Sequence, residues 1–326
     1  MKRLFSALLG LTLLCALLPG CAARPSVSDG QAGGFSIVAT SFPAYDLARA
    51  VCGQAAEITL LLPPGAESHS YEPTPRDILA VEDCGLFVYL GGESDAWVET
   101  ILSSLESPPE TLRMIDCVDT LDEETLEGMT SQGHDHDHEE HDEDHDHDGH
   151  DHSDENAHVW MSPKQAIKQV ENIAEGLIEQ DPAHADAYRK NADAYIERLN
   201  KLDRQVEELL SGVQGAKIVT SHPAFEYLAR DYGIEIVASL GQEPGEMPRT
   251  RDMARLVDDV RDMDIRALFV EKAYSERAAE VLARETGIAI YALDSLTSGD
   301  MDEEAYERGI LADAQTLKGA LENADA

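Results

Sequence analysis

Twice along the chain, short β-branched runs alternate with helical patterns, and one long amphipathic helix stands between the two series. In the first series the predicted strands are Ser36–Thr40, Glu57–Leu62, Leu86–Leu90 and Thr111–Ile115. Helices are expected near Ala44–Cys52, Pro75–Asp83 and Asp95–Leu105, the second capped by Thr74 with Pro75 at its first position. The second series predicts strands Lys217–Thr220, Glu235–Ala238, Ala267–Val270 and Ile288–Ala292. Its helices fall near Ala224–Tyr232, Arg251–Met263, Ser275–Thr286 and Glu303–Leu321. Strands that alternate with helices form parallel sheets with crossover helices. The fold class is therefore α/β: two lobes, each a parallel sheet flanked by helices.

The connector is the clearest helix in the sequence. Asp181 and Pro182 open it, Gly212 closes it, and Tyr188, Ala192, Tyr195, Leu199, Leu202, Val206 and Leu209 recur at steps of four and three. About 29 residues at 1.5 Å each make a rod of ~43 Å. An amphipathic partner precedes it, with Ser162 and Gln165 as an expected capping box and Ile167, Val170, Ile173, Ala174 and Leu177 on one face. A rod this long between two α/β halves links both and resists wide hinge motion. The expected organisation is an N-terminal lobe over 35–162, connecting helices over 163–212 and a C-terminal lobe over 213–326.

The first residues are not fold. Lys2 and Arg3 precede an apolar run from Leu4 to Leu18, and Cys21 follows Leu18-Pro19-Gly20. A basic start, a short apolar stretch and small residues before a cut describe a secretory signal, and the run is too short to span a bilayer comfortably. Residues 1–21 resemble a signal with a bacterial lipobox, in which Cys21 is lipidated; an ordinary cleaved signal is the alternative. Residues 22–34 have a tether's composition. The expected location is extracytoplasmic, held to the bacterial cell membrane by lipid alone.

Of five cysteines, Cys52, Cys84 and Cys117 lie beyond that leader. Cys52 and Cys84 each precede a strand and so share a sheet edge, where they either bridge or, with Cys117, stay free thiols. The chain carries 64 acidic against 25 basic residues, a formal net charge of −39. That field repels a phosphate backbone and excludes nucleic acid as a partner. Sixteen of the acids fall in residues 122–156, yet the remainder is acidic too.

Within that tract, residues 131–157 alternate acid with His134, His136, His138, His141, His145, His147, His150 and His152. No apolar period exists there, so a disordered insert within the N-terminal lobe is expected. Imidazoles among carboxylates make an auxiliary, weak chelator for borderline metals. His141 and His145 are four apart, but Asp142 stands where a zinc protease has Glu, and no apolar helix surrounds them. Deleting 131–157 is expected to remove weak metal sites and spare one tight one.

Four histidines lie outside the insert: His69, His158, His184 and His222. His184 opens the long helix and is set aside. His69 lies on the loop after strand Glu57–Leu62, His222 follows strand Lys217–Thr220, and Asp294 follows strand Ile288–Ala292. Open α/β sheets bind ligands beyond the carboxyl ends of their strands, so these loops converge between the lobes. His158 sits just ahead of the connector and completes the set. Three imidazoles and a carboxylate are a tetrahedral zinc ligand set, although a single His is more often an ordinary hydrogen-bonded surface or cleft residue than a ligand. Glu226 and Glu271 are placed to orient the ligands, whereas Trp97 and Trp160 read as packing beside a bare ion.

Longer motifs sharpen this. The run Leu60-Leu61-Leu62-Pro63-Pro64-Gly65 through His69-Ser70-Tyr71-Glu72-Pro73-Thr74-Pro75-Arg76-Asp77 resembles the first ligand loop of the solute-binding proteins of bacterial zinc and manganese ABC transporters. So do His158-Val159-Trp160-Met161-Ser162-Pro163, Ser221-His222-Pro223-Ala224-Phe225-Glu226-Tyr227-Leu228, and Glu271 with the segment leading to Asp294. The resemblance runs from about Phe35 to the C-terminus. It implies one metal between two lobes bridged by a long helix, with His69, His158 and His222 as ligands. Asp294 falls at the family's C-lobe carboxylate, and Glu67 is the alternative fourth ligand.

The resemblance also implies zinc (Zn2+) as the transported ligand. Manganese-type relatives carry Glu where this chain has His222, and imidazole suits zinc better than manganese. The implied function is a non-enzymatic, monomeric binding component that delivers zinc to an ABC transporter membrane permease driven by a cytoplasmic ATPase. The competing readings are a manganese-specific relative, a zinc-dependent hydrolase and a surface adhesin.

Overall fold

A computed structural model describes residues 34–66, 71–92, 95–121, 155–241, 248–263, 265, 267–272 and 277–323. The expected signal with Cys21, the tether up to residue 33, His69, Glu67 and the eight insert histidines lie outside the described residues. The folded body belongs to the compact unit Phe35–Ala326.

Among the described residues the N-terminal series is β1 (Ser36–Ala39), α1 (Phe42–Cys52), β2 (Glu57–Leu60), α2 (Pro75–Glu82), β3 (Leu86–Tyr89), α3 (Ala96–Ser104) and β4 (Thr111–Arg113). The connector is α4 (Pro163–Gln180) and α5 (Ala185–Leu210). The C-terminal series is β5 (Lys217–Thr220), α6 (Glu226–Tyr232), β6 (Glu235–Ser239), α7 (Thr250–Asp262), β7 (Ala267–Glu271), α8 (Arg277–Thr286), β8 (Ile290–Leu293) and α9 (Ala305–Asn323). Both sheets are parallel, ordered β2-β1-β3-β4 and β6-β5-β7-β8. The two lobes thus repeat one topology.

Period-two alternation explains how the layers assemble. In the N-terminal sheet Ile37, Ala39, Leu86 and Val88 face one core, while Val38, Phe87 and Tyr89 face a second with Val81, Trp97, Val98 and Ile101. In the C-terminal sheet Ile218, Ala267 and Phe269 face the first core, and Val219, Leu268 and Val270 pack with Leu256, Val260 and Leu282. One face of each sheet therefore joins a single core, filled by Leu47 and Val51 of α1, the α4 and α5 stripes, and Tyr306, Ile310 and Leu317 of α9. Tyr188, Ala192, Tyr195, Leu199, Leu202 and Val206 are buried as their spacing predicts, and Leu210 closes the stripe while Leu209 is partly buried.

Several expectations change in detail. Residues Met114–Cys117 form a 3₁₀ turn, so the fourth strand ends at Arg113. A 3₁₀ turn over Pro182–His184 shortens the long helix to 26 residues, about 39 Å. There the Asp181 carboxylate meets His184 Nδ1 at 2.6 Å and accepts from the Tyr188 hydroxyl at 2.7 Å. Gln165 does not close a capping box: its amide donates to Asp231 at 2.7 Å, and Ser162 also donates to Asp231, at 2.6 Å. Thr74 does form a full capping box, with Asp77.

Cys52, Cys84 and Cys117 are free thiols. A sheet separates the pair expected to bridge: Cys52 ends α1 in the shared core, whereas Cys84 belongs to the core on the opposite face. Burial pushes both thiols up to about 11. Residues 155–157, read from sequence as the end of the insert, are part of the folded body, with Asn156 and Ala157 buried.

Candidate metal centre

The strand order in each lobe places the topological switch between its first and third strands, where the loops that leave them part in opposite directions. In the N-terminal lobe that crevice is sealed by Asp95, 3% exposed, which accepts from Thr40 Oγ1 at 3.1 Å and from the Leu90 amide at 2.7 Å. In the C-terminal lobe the corresponding crevice holds His222 after β5 and Glu271 at the end of β7.

His222 is turned inward by a tight bend, the Ser221 amide donating to Phe269 O at 2.8 Å and the Ala224 amide to His222 O at 2.8 Å. Its Nε2 lies 3.2 Å from Nε2 of His158, with the rings 4.9 Å apart and nearly perpendicular. Both residues are 3% exposed. Two imidazoles that converge through their outer nitrogens in a buried crevice present the donor pair a borderline cation takes.

His158 reaches this place because the segment from Asn156 to Ser162 is nailed to the C-terminal lobe. The Trp160 indole donates to Ser295 O at 2.7 Å, and Tyr306 donates to Trp160 O at 2.6 Å. Tyr227 donates to Asn156 O at 2.8 Å, and burial pushes its hydroxyl up to about 12, so it remains a donor. Trp160 is fully buried, its ring 5.2 Å from that of His158, and packs rather than presenting a stacking face. Trp97 sits edge-on to Tyr71 at 4.9 Å.

Described residues on either side of His69 are tied by hydrogen bonds. The Gly65 amide donates across the cleft to Ser298 Oγ at 2.7 Å, and Gly65 adopts a φ of 81°, which glycine takes without strain. Beyond the loop, Tyr71 donates to Asp77 at 2.9 Å. The segment before His69 thus abuts the segment after Asp294.

Asp294 has other partners. Its Oδ2 is 3.4 Å from Lys272 Nζ, its Oδ1 accepts from the Leu296 amide at 3.1 Å, and the side chain is 38% exposed. Its own amide donates to Asp313 at 3.0 Å. Asp313 is 1% exposed, and burial pushes its carboxyl up to about 8. Among the described residues no three His, Cys, Asp or Glu side chains form one metal-holding group. The structure therefore brings His158 and His222 together and leaves Asp294 with Lys272. Glu226 accepts from Asn156 Nδ2 at 3.3 Å. Glu271, 3% exposed, accepts from the Ser295 hydroxyl, and its amide donates to Ser221 Oγ at 3.2 Å.

Sequence reasoning missed Asn156, Lys272 and Asp313. Asn156 stands two residues before a ligand candidate, a position from which an amide side chain can reach the next backbone amides and the ring.

The described fold is thus two α/β lobes joined by a long helix, with paired imidazoles at the crevice of the C-terminal lobe. The chain belongs to the family described as zinc-uptake complex component A, periplasmic, whose sequence profile matches residues 37–320. It is 33% identical over 318 residues to the zinc-binding lipoprotein AdcA of Streptococcus pneumoniae, covering 97% of this chain and 60% of that one. The chain thus spans about 60% of the length of this curated relative. Zn(II)-bound AdcA from S. pneumoniae superposes with a TM-score of 0.69 at 30% identity, over 89% of this chain and 58% of that one. FpvC from Pseudomonas aeruginosa in complex with Mn2+ superposes with a TM-score of 0.76 at 26% identity, over 89% of this chain and 99% of that one.

Proposed function

We propose that this chain is the extracytoplasmic capture component of a zinc importer, tethered through a lipidated Cys21. It takes one zinc ion between its lobes and passes it to a membrane permease powered by a cytoplasmic ATPase. The observation that carries this reading is the buried His158–His222 pair, 3.2 Å apart through Nε2, in a chain of the zinc-uptake family. His69 supplies the third imidazole from the loop between Gly65 and Tyr71. Asp294 closes the set by exchanging its Lys272 ion pair for the cation, and Glu67 is the other carboxylate within that loop.

Zinc rather than manganese is favoured by the donor chemistry: nitrogen ligands suit zinc, and manganese takes oxygen-rich sites. The related proteins span both metals, since AdcA is a zinc-bound neighbour and FpvC is seen with Mn2+. The test is metal content by mass spectrometry after purification from mixed-metal medium. The wild type should carry one tightly held zinc that His158→Ala and His222→Ala both lose. Manganese as the retained ion, or zinc retained by both variants, would refute it.

A further inference from the structure

Asn156 is fully buried and uses every polar group it has. Its backbone amide donates to Leu121 O at 2.8 Å and its carbonyl accepts from Tyr227. Its side-chain Nδ2 donates to Pro223 O at 2.7 Å and faces the Glu226 carboxylate at 3.3 Å. Its Oδ1 accepts from the His158 amide at 2.9 Å and lies 3.1 Å from His158 Nδ1.

The chemistry of these partners fixes which amide atom is which. Pro223 O is acceptor-only, and so is the Glu226 carboxylate when ionised, so the atom facing them must be the NH₂ group. Its opposite atom is then an oxygen, which can only accept. The ring nitrogen it meets, His158 Nδ1, must carry a proton, and in neutral imidazole that leaves Nε2 as the basic nitrogen. Nε2 is the atom that faces His222. The same side chain holds Pro223, the residue after His222.

We propose that Asn156 is the positioning residue of the metal site: it sets the tautomer of His158 and braces the His222 segment against it. This rests on the reading of those two histidines as ligands. It explains why an amide rather than a carboxylate stands here, because Asp at this position would set an acceptor against Pro223 O and Glu226. Outer partners of this kind typically matter by ~10–100-fold in metal affinity.

The test uses the metal-free full chain labelled with ¹⁵N at histidine, at neutral pH. Long-range ¹H–¹⁵N NMR reports which ring nitrogen of His158 bears the proton, the signal being assigned by its loss in His158→Ala. The wild type should show the proton on Nδ1. Asn156→Ala should show a mixed tautomer and a zinc affinity ~10–100-fold weaker by chelator competition. Asn156→Asp should weaken binding as well, and adding Glu226→Gln should recover part of the loss. A wild-type His158 protonated on Nε2 overturns the proposal, and this readout stands even where the variants do not fold. Unchanged zinc affinity in a folded Asn156→Ala protein overturns it too. A wild type that shows the expected tautomer but takes no zinc would instead refute the metal reading on which the brace depends.

Discussion

Asp46 is 1% exposed, yet burial and the neighbouring Glu307 outweigh Arg49, and its carboxyl is pushed up to about 6. Arg49, Arg198, Asp302 and Glu307 are the charged groups that act on it. Because the folded state holds this proton more tightly than the unfolded chain, its contribution to stability is full at low pH. That contribution falls as pH rises from about 4 through about 6, by an amount on the order of 3 kcal/mol. Asn cannot titrate, so the stability of wild type relative to Asp46→Asn should decline across that window and then level off. Urea unfolding at pH 4, 5, 6 and 7.5 measures it; a difference independent of pH would disprove the assignment. The ligands work with the opposite sign, since imidazoles must be neutral to bind. Zinc affinity should therefore drop below pH ~6.5, and equal affinities at pH 5 and 7.5 would contradict that. At this scale His222 was legible because it follows a strand in a distinctive motif, and His158 because its motif stands just ahead of the connector. Asn156 was not, because it borders a low-complexity run whose composition swept it into the insert. Only tertiary contacts to Pro223 and Tyr227 reveal its role.

Elements were legible wherever local chemistry and burial agree. The α5 stripe and the strand runs declare themselves by period, and Thr74-Pro75 declares the start of α2. Cap details failed where another partner competes: Asp231 draws Gln165 away from the N-terminus of α4, although Ser162 still caps that helix, and His184 and Tyr188 occupy the Asp181 carboxylate before α5. Backbone conformation at Leu296 is another feature no pattern announces. Its φ of 54° is the one left-handed value outside glycine among the described residues, and its side chain is buried against Gly309 of α9. A Cβ at Gly309 would overlap the Leu296 methyls and stand 3.2 Å from its Cγ. In an exposed helix Gly→Ala gains about 1 kcal/mol from propensity. Here Gly309→Ala should destabilise, by about 1–3 kcal/mol, because overpacking outweighs propensity. It should also weaken zinc binding, since Leu296 lies two residues beyond Asp294; a more stable variant with unchanged affinity would show that this strand-end turn is slack.

For the whole molecule, the two repeated topologies suggest lobes that could unfold independently, and the core argues otherwise. Ile37 and Val88 of one sheet and Ile218 and Phe269 of the other belong to one buried cluster, with Leu199 of α5 fully buried within it. Polar ties reinforce the joint: Arg49 of α1 donates to Met301 O and Asp302 O at 2.6 Å, and Arg198 of α5 donates to Glu303 O at 2.6 Å. Lobes that share their largest apolar surface lose it together. Calorimetry should therefore show one cooperative transition, and hydrogen exchange should give the core amides of β3 and β7 the same opening free energy. Leu199→Ala should lower both by about 2–5 kcal/mol, although neither strand contains the residue. Zinc bound to the folded state alone should raise the same single transition, by about 2.7 kcal/mol at a hundredfold excess over Kd. Two separate transitions, with zinc moving only one, would mean that the ion is held within one lobe and that the long helix merely tethers the halves.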